Sequence, residues 1–100
     1  MTVYAVAKLT ITDPETYAAY GAGFMAAFTP FGGKVLAVDE APEVIEGDWR
    51  CTRTVLLEFP SKAVMKAWYA SPAYQDLVQH RYAASTADIV LLEGFAPPAA

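Results

Sequence analysis

The order of strand-like and helix-like patterns along the chain constrains its fold more than any other feature. A first strand is predicted at Val3 to Ile11, a stretch rich in valine, isoleucine and threonine. Further strands are predicted at "KVLAVDE", at "CTRTVLLEFP" and from about Ala87 to Glu93, with a short extended piece at "EVIEGDW". Helical patterns follow the first and third strands. The predicted order βαββαβ is the ferredoxin-like split arrangement, an α+β fold with an antiparallel sheet and both helices on one face.

The segment after the first strand has the signals of a helix start. Asp13 can cap the helix, and Pro14 suits its first turn because no N–H needs a partner there. Pro30 and the glycines at 32–33 are expected to end it. Between these ends, apolar residues recur at spacings of three and four and predict one stripe that faces the sheet: Tyr17, Tyr20, Phe24, Ala27, Phe28 and Phe31.

The second helical pattern contains a break. Ser61 is expected to cap it, and Ser71 with the proline after it is expected to kink the helix and start a new turn. Beyond this kink, the spacing places Tyr74 and Arg81 on the same side. Arg81 should therefore lie at or beside the apolar stripe.

The predicted sheet is apolar on both faces. Ile89 and Leu91 point one way, while Val90 and Leu92 point the other. A sheet with helices on one side only should alternate apolar and polar residues, which these strands do not do cleanly. Leaving four such side chains in water forgoes about 1.5–3 kcal/mol each. We therefore predict a homodimer in which the two sheets pack face to face around a two-fold axis.

Composition excludes several classes of protein. Hydrophobic residues make up 55% of the chain, which excludes disorder. The net charge is -4 and the seven basic residues are scattered, so no nucleic-acid partner is expected. No apolar run is long enough for a membrane span, and the N-terminus does not look like a signal peptide.

One hundred residues correspond to one domain, which we place at 1–95, followed by a loose tail at 96–100. A single cysteine, Cys51, cannot form an internal disulfide. These features predict a cytoplasmic protein.

With this order of elements, the sequence resembles the family called domain of unknown function 1330. The resemblance implies a dimeric α+β barrel, a group that includes cofactor-free monooxygenases, haem-degrading enzymes, isomerases and stress-responsive binding proteins. The family itself has no settled activity. The residues that carry the resemblance are "DPETYAAY", "FGGKVL", "EVIEGDW", "RTVLLEFPS", "AWYASPAYQ", Arg81 and the pair Glu93–Gly94.

The candidate ligand-binding residues are Tyr17, Glu46, Trp68, Tyr74 and Arg81. If the kink opens a gap between helices and sheet, aromatic side chains would line it. Arg81 would then hold an anionic or carbonyl group of a small ligand, and Tyr17 would be a polar wall.

A purely structural role is the alternative for the same residues. The aromatics would then be core, and Arg81 would pair with a carboxylate such as Glu46 or Asp13. Glu58 interrupts an apolar strand and needs a partner from a neighbouring strand or the other subunit. Arg53 lies on the opposite strand face and is not that partner.

No catalytic residue, metal or cofactor is assigned. His80 has no cysteine or second histidine nearby, so no metal site is predicted, and a lone histidine in this context is usually a surface residue. The main functional hypothesis is a small-molecule pocket between helices and sheet in a homodimer. The alternatives are an enzyme similar to a cofactor-free monooxygenase or an isomerase, and a non-enzymatic structural dimer. Haem handling through His80 stays open as a third possibility.

Overall fold

Strand β1, Val3–Ile11, is an interior strand of a four-stranded antiparallel sheet. The protein is described by a computed structural model that covers residues 1–95. Strand β3, Arg53–Phe59, pairs with one side of β1 and strand β4, Ser85–Glu93, pairs with the other. Strand β2, Lys34–Asp39, pairs with the free side of β3, which gives the order β2-β3-β1-β4. This arrangement confirms the predicted ferredoxin-like α+β fold; the tail predicted at 96–100 lies outside the described residues.

Helix α1 spans Pro14–Phe28 and is followed by a short 3-10 turn at Thr29–Phe31. Asp13 caps α1, since its carboxylate accepts hydrogen bonds from the backbone N–H of Thr16 at 3.2 Å and from its hydroxyl at 2.7 Å. These hydrogen bonds stabilise the ionised form and lower the pKa of Asp13. Gly32 then adopts a φ of 72°, which favours glycine and turns the chain into β2.

Helices α2, Lys62–Ala70, and α3, Pro72–Ala84, result from the predicted kink. Ser71 is extended, with φ -63° and ψ 145°, so it interrupts the helical backbone. Its hydroxyl accepts the N–H of Tyr74 at 3.3 Å and donates to the carbonyl of Trp68 at 2.7 Å. One serine thus caps both helices and fixes the change in direction between them.

Two predicted boundaries are corrected by the structure. Strand β4 begins at Ser85 and not near Ala87, because Ser85 is already extended and pairs with Ile11 of β1. The "EVIEGDW" piece forms no strand in the part of the chain that the structure describes. It lies within the loop 40–52, where Gly47 has a φ of 86° and residues 43–49 pair with none of the described strands.

The two faces of the sheet have different surroundings. The inner face, made by the odd-numbered residues of β1 and β3, is buried under the helices; examples are Val3, Leu9 and Phe59. On the outer face Val90 is 54% exposed and Leu92 is 50% exposed. The predicted apolar character of both faces is therefore present in the structure.

A row of apolar residues crosses the outer face. In sheet order it consists of Ala37, Leu56, Val6 and Val90, which are register partners. Glu58 lies on the same face, and its carboxylate is 3.7 Å from the Nζ atom of Lys34 on the neighbouring strand. The partner of Glu58 is therefore on a neighbouring strand of the same chain.

None of the helices in residues 1–95 is both long enough and apolar enough to cross a membrane.

Candidate functional site

A cavity of about 380 Å³ lies between the helices and the inner face of the sheet. Its volume is within the usual range for small-molecule sites. Ala5 and Ala7 help to create the space, because the middle of β1 contributes only methyl groups to the floor. Half-exposed apolar side chains surround the opening: Met25, Val35, Val38 and Ile89.

Aromatic side chains from all three helices form the other wall. The ring centroids of Trp68 and Tyr74 lie 4.1 Å apart, on the two sides of the kink. Trp68 is 3% exposed and Tyr74 is 1% exposed, so both rings belong to the core as well as to the cavity. Tyr20 and Phe24 of α1 complete this wall, with ring centroids 6.2 Å from Tyr74 and 6.0 Å from Trp68, respectively. The kink predicted from the sequence therefore positions the aromatic lining.

Arg81 is a buried cation at this cavity. It comes from the last turn of α3, is 5% exposed, and its Cζ atom lies 6.0 Å from the ring centroid of Tyr20. Within residues 1–95 no carboxylate forms an ion pair with it. The predicted alternative, a pair with Glu46 or Asp13, is wrong because Asp13 is engaged in capping α1 and Glu46 is exposed in the loop 40–52.

Arg53 is a cavity residue that the sequence analysis did not select. Its Cζ atom lies 5.1 Å from the ring centroid of Tyr17, and its Nη2 atom is 2.8 Å from the carboxylate of Glu40. The signal was available in the strand alternation, because Arg53 shares its face of β3 with Leu57 and Phe59. That face is the one the helices cover.

Two tyrosine hydroxyls meet beside Arg81. The hydroxyl oxygens of Tyr20 and Tyr74 are 2.8 Å apart and buried. Burial, together with the neighbouring Tyr74, raises the pKa of Tyr20, and burial likewise raises the pKa of Tyr74. Both groups are therefore neutral at physiological pH and can donate or accept hydrogen bonds as phenols.

Four of the five candidate residues line the cavity: Tyr17, Trp68, Tyr74 and Arg81. Glu46 is not among the lining residues. His80 is exposed on α3, and the sulfur of Cys51 is 3.3 Å from the hydroxyl of Thr54. In residues 1–95 no group of three metal-ligating side chains comes together.

A model of the family described as Domain of unknown function (DUF1330) matches residues 2–95. The chain belongs to this family. The resemblance seen in the sequence is thereby confirmed. No curated protein matches the sequence.

Several solved structures share the fold of this DUF1330 protein. A protein of unknown function from Rhodopseudomonas palustris is 23% identical, with a TM-score of 0.82 over 96% of this chain and 84% of that one. SnoaB, a cofactor-independent oxygenase from Streptomyces nogalater, is 16% identical, with a TM-score of 0.68 over 96% and 95% of the two chains. A dimeric ferredoxin-like protein of unknown function from Jannaschia sp. CCS1 is 17% identical, with a TM-score of 0.67 over 94% and 100%. At these identities the likeness establishes the fold alone.

Proposed function

We propose that this DUF1330 protein is a homodimer that binds a small, largely apolar molecule in the cavity between its helices and its sheet. The observation that carries the proposal is Arg81, a buried cation that pairs with no carboxylate within residues 1–95 and lies on the wall of a cavity of about 380 Å³. A buried charge without a partner is costly. A carboxylate, phenolate or carbonyl oxygen of a ligand would supply that partner.

The apolar lining supports the same proposal. A non-enzymatic dimer with purely structural aromatics would have solid packing beside Trp68 and Arg81. The two residues instead border the cavity, together with the small side chains of Ala5 and Ala7. Hydrophobic walls with a few polar groups are typical of sites that take small organic ligands.

The outer face of the sheet supports the dimer part of the proposal. Val6 stands at the middle of the apolar row, with Leu56 on one side and Val90 on the other. The loop 40–52 lays Trp49 on this face, where its Nε1 atom donates to Thr54 at 2.8 Å. A second copy of the chain would bury these groups, and the structurally similar Jannaschia protein is described as dimeric. The cytoplasmic location predicted from the sequence is part of the proposal and can be tested by cell fractionation.

A thermal-shift screen with bicyclic aromatic acids tests the cavity. A ligand that binds the folded protein raises its melting temperature. Arg81→Met should reduce the rise, because it removes the charge and keeps an apolar side chain. The matched control is Arg50→Met, since Arg50 is exposed and lies outside the cavity. An equal rise in wild type and Arg81→Met would remove Arg81 as the anchor.

A second variant tests the location of the ligand. Gly21 lines the cavity, and a Cβ atom added there would have no neighbour within 4 Å. Gly21→Leu should therefore fill part of the cavity without disturbing the fold, and Gly21→Ala is its smaller control. Ligands that bind Gly21→Leu as well as they bind wild type do not occupy this cavity, and that result would contradict the proposal.

A further inference from the structure

In the described part of the chain, the buried side-chain donors that lack an acceptor belong to residues on the cavity wall. In residues 1–95 three buried side-chain nitrogens have no hydrogen-bond partner: the Nε atom of Arg53, the Nε1 atom of Trp68 and the Nε atom of Arg81. All three residues line the cavity. A buried donor without an acceptor costs about 1–3 kcal/mol. The described part of the protein therefore leaves these three donors without acceptors of its own.

The positive charge of the cavity is only partly balanced. Arg53 pairs with Glu40, whereas Arg81 has no such partner in the described part of the chain. The charged and titratable groups around Arg81 are tyrosines and Arg53, while the cavity residues of β1, β2 and β4 are aliphatic. The tyrosines are Tyr17 and Tyr20 of α1, Tyr69 of α2, and Tyr74 and Tyr82 of α3.

The same wall offers no general base. Among the described residues that line the cavity there is no carboxylate, histidine or lysine. Tyr20 and Tyr74 are neutral near pH 7, because burial raises the pKa of each. A ligand that ionises in the site must therefore release its proton to solvent. Its O–H bond breaks, the proton passes to water, and the electron pair stays on the oxygen.

We propose that the cavity binds a weakly acidic phenol or enol of an apolar, aromatic-sized compound as its oxyanion, with the charged oxygen held by Arg81. This inference rests on the proposed small-molecule site and names the class of ligand. The buried guanidinium, which has no carboxylate partner among the described residues, favours the anion, and the aromatic rings of Trp68 and Tyr74 contact the apolar body. Arg81 acts by stabilising the oxyanion, and the ligand's own acidity supplies the ionisation.

The test uses 4-nitro-1-naphthol, whose anion is coloured and whose neutral form is much paler in the visible range. Its methyl ether, 1-methoxy-4-nitronaphthalene, has the same bicyclic body without the acidic proton. Titration of the naphthol with pH is followed by absorbance in the presence of excess protein. We expect the bound naphthol to ionise about 1–3 pH units lower than the free compound, as for an acid beside a buried opposite charge.

Two variants test whether Arg81 causes the shift in the ionisation of the bound naphthol. Arg81→Met should abolish the shift, whereas the exposed-site control Arg50→Met should keep the shift. Circular dichroism checks that each variant is folded, and the wild-type titration tests the inference even if Arg81→Met does not fold.

The failures of the two proposals are distinguishable. If both compounds bind but the naphthol ionises as it does in water, the oxyanion inference is wrong and the small-molecule site stands. If the shift persists in folded Arg81→Met, Arg81 does not hold the oxygen. If neither these compounds nor the aromatic acids bind, the proposed site is wrong, and the inference about its ligand is wrong with it.

Discussion

The hydroxyl of Tyr20 on α1 lies 2.8 Å from the hydroxyl of Tyr74 on α3, and this buried hydrogen bond joins the two helices beside the cavity. The two rings also meet edge to face, with centroids 6.2 Å apart. The pair links residues that are 54 positions apart in the sequence. It therefore contributes to tertiary packing as well as to the polarity of the cavity wall.

Removal of either hydroxyl should destabilise the protein, because the other hydroxyl is then left buried without its partner. In Tyr20→Phe the Tyr74 hydroxyl, on a residue that is 1% exposed, loses its partner. We expect the free energy of unfolding to fall by about 1–3 kcal/mol. Urea unfolding of the two single variants and of the Tyr20→Phe/Tyr74→Phe double variant measures the coupling, and the double variant should be less destabilised than the sum of the singles.

The control for this cycle is Tyr82→Phe. The hydroxyls of Tyr69 and Tyr82 are 3.5 Å apart at an exposed site, and Tyr82 is 53% exposed. Its substitution should change stability by less than about 0.5 kcal/mol. Additive effects of Tyr20→Phe and Tyr74→Phe would contradict a contribution from their hydrogen bond.

The same pair predicts a loss of stability in alkali. Burial raises the pKa of Tyr20 and Tyr74 above the ordinary value near 10, so the unfolded chain releases these protons first. The stabilisation is complete below pH 10 and is lost as the pH rises from 10 toward the folded-state pKa values. The slope is about 1.4 kcal/mol per pH unit for each tyrosine.

A pH-jump experiment tests whether folding protects Tyr20 and Tyr74 from ionisation. After a rapid jump to alkaline pH, Tyr20 and Tyr74 should contribute a slow tyrosinate absorbance change that develops only as the protein unfolds. Tyr20→Phe and Tyr74→Phe should each reduce the slow amplitude. A wild-type protein in which all six tyrosines ionise at once would show that this pair is not protected.

Two glycines should respond to alanine in opposite directions. At Gly33 an added Cβ atom would overlap the ring of Phe28, which is fully buried. Gly33→Ala should therefore destabilise the protein by about 1–3 kcal/mol. At Gly21, within α1, the added methyl group meets nothing, and the gain in helix propensity should stabilise the protein by up to about 1 kcal/mol. Thermal unfolding compares both variants with wild type, and equal effects would contradict the packing described at Gly33.

The proposed dimer predicts a substitution that separates the subunits without unfolding them. Val6→Lys places a charge at the middle of the apolar row on the outer face, between Leu56 and Val90. Light scattering after size exclusion should give the mass of a dimer for wild type and of a monomer for Val6→Lys. Ala18→Lys, on the exposed side of α1, is the control and should stay dimeric. A monomeric wild type would contradict the dimer directly.

The sequence predicted the fold and most of the cavity wall because these depend on local, periodic signals. Ser71 with its following proline marked the kink, and helical spacing placed Tyr74 and Arg81 on one side. Arg53 was passed over although its position on β3 placed it under the helices. Arg53 was considered only as a partner for Glu58, which lies on the outer face of β3 and pairs with Lys34 on the next strand.

The position of Glu46 could not be read from the sequence. The loop 40–52 has no helical or strand period, and Gly47 allows a backbone turn that propensities do not specify. Likewise, the isolation of Arg81 depends on where Asp13 and Glu46 settle in three dimensions. Sequence periodicity predicts which face of a helix or strand a side chain lies on. It does not predict whether a carboxylate distant in the sequence forms an ion pair with that side chain.

The two alanines at the centre of β1 have a consequence for how this fold changes over evolutionary time. Ala5 lies between Leu57 and Leu91 in the sheet, and Ala7 lies between Val55 and Ile89. A valine or leucine at either position would fill part of the cavity and bury more apolar surface. A single substitution could therefore raise the free energy of unfolding. Alanine at both positions therefore keeps the cavity open at the expense of stability, and a relative with bulkier residues here would be more stable and have a smaller cavity.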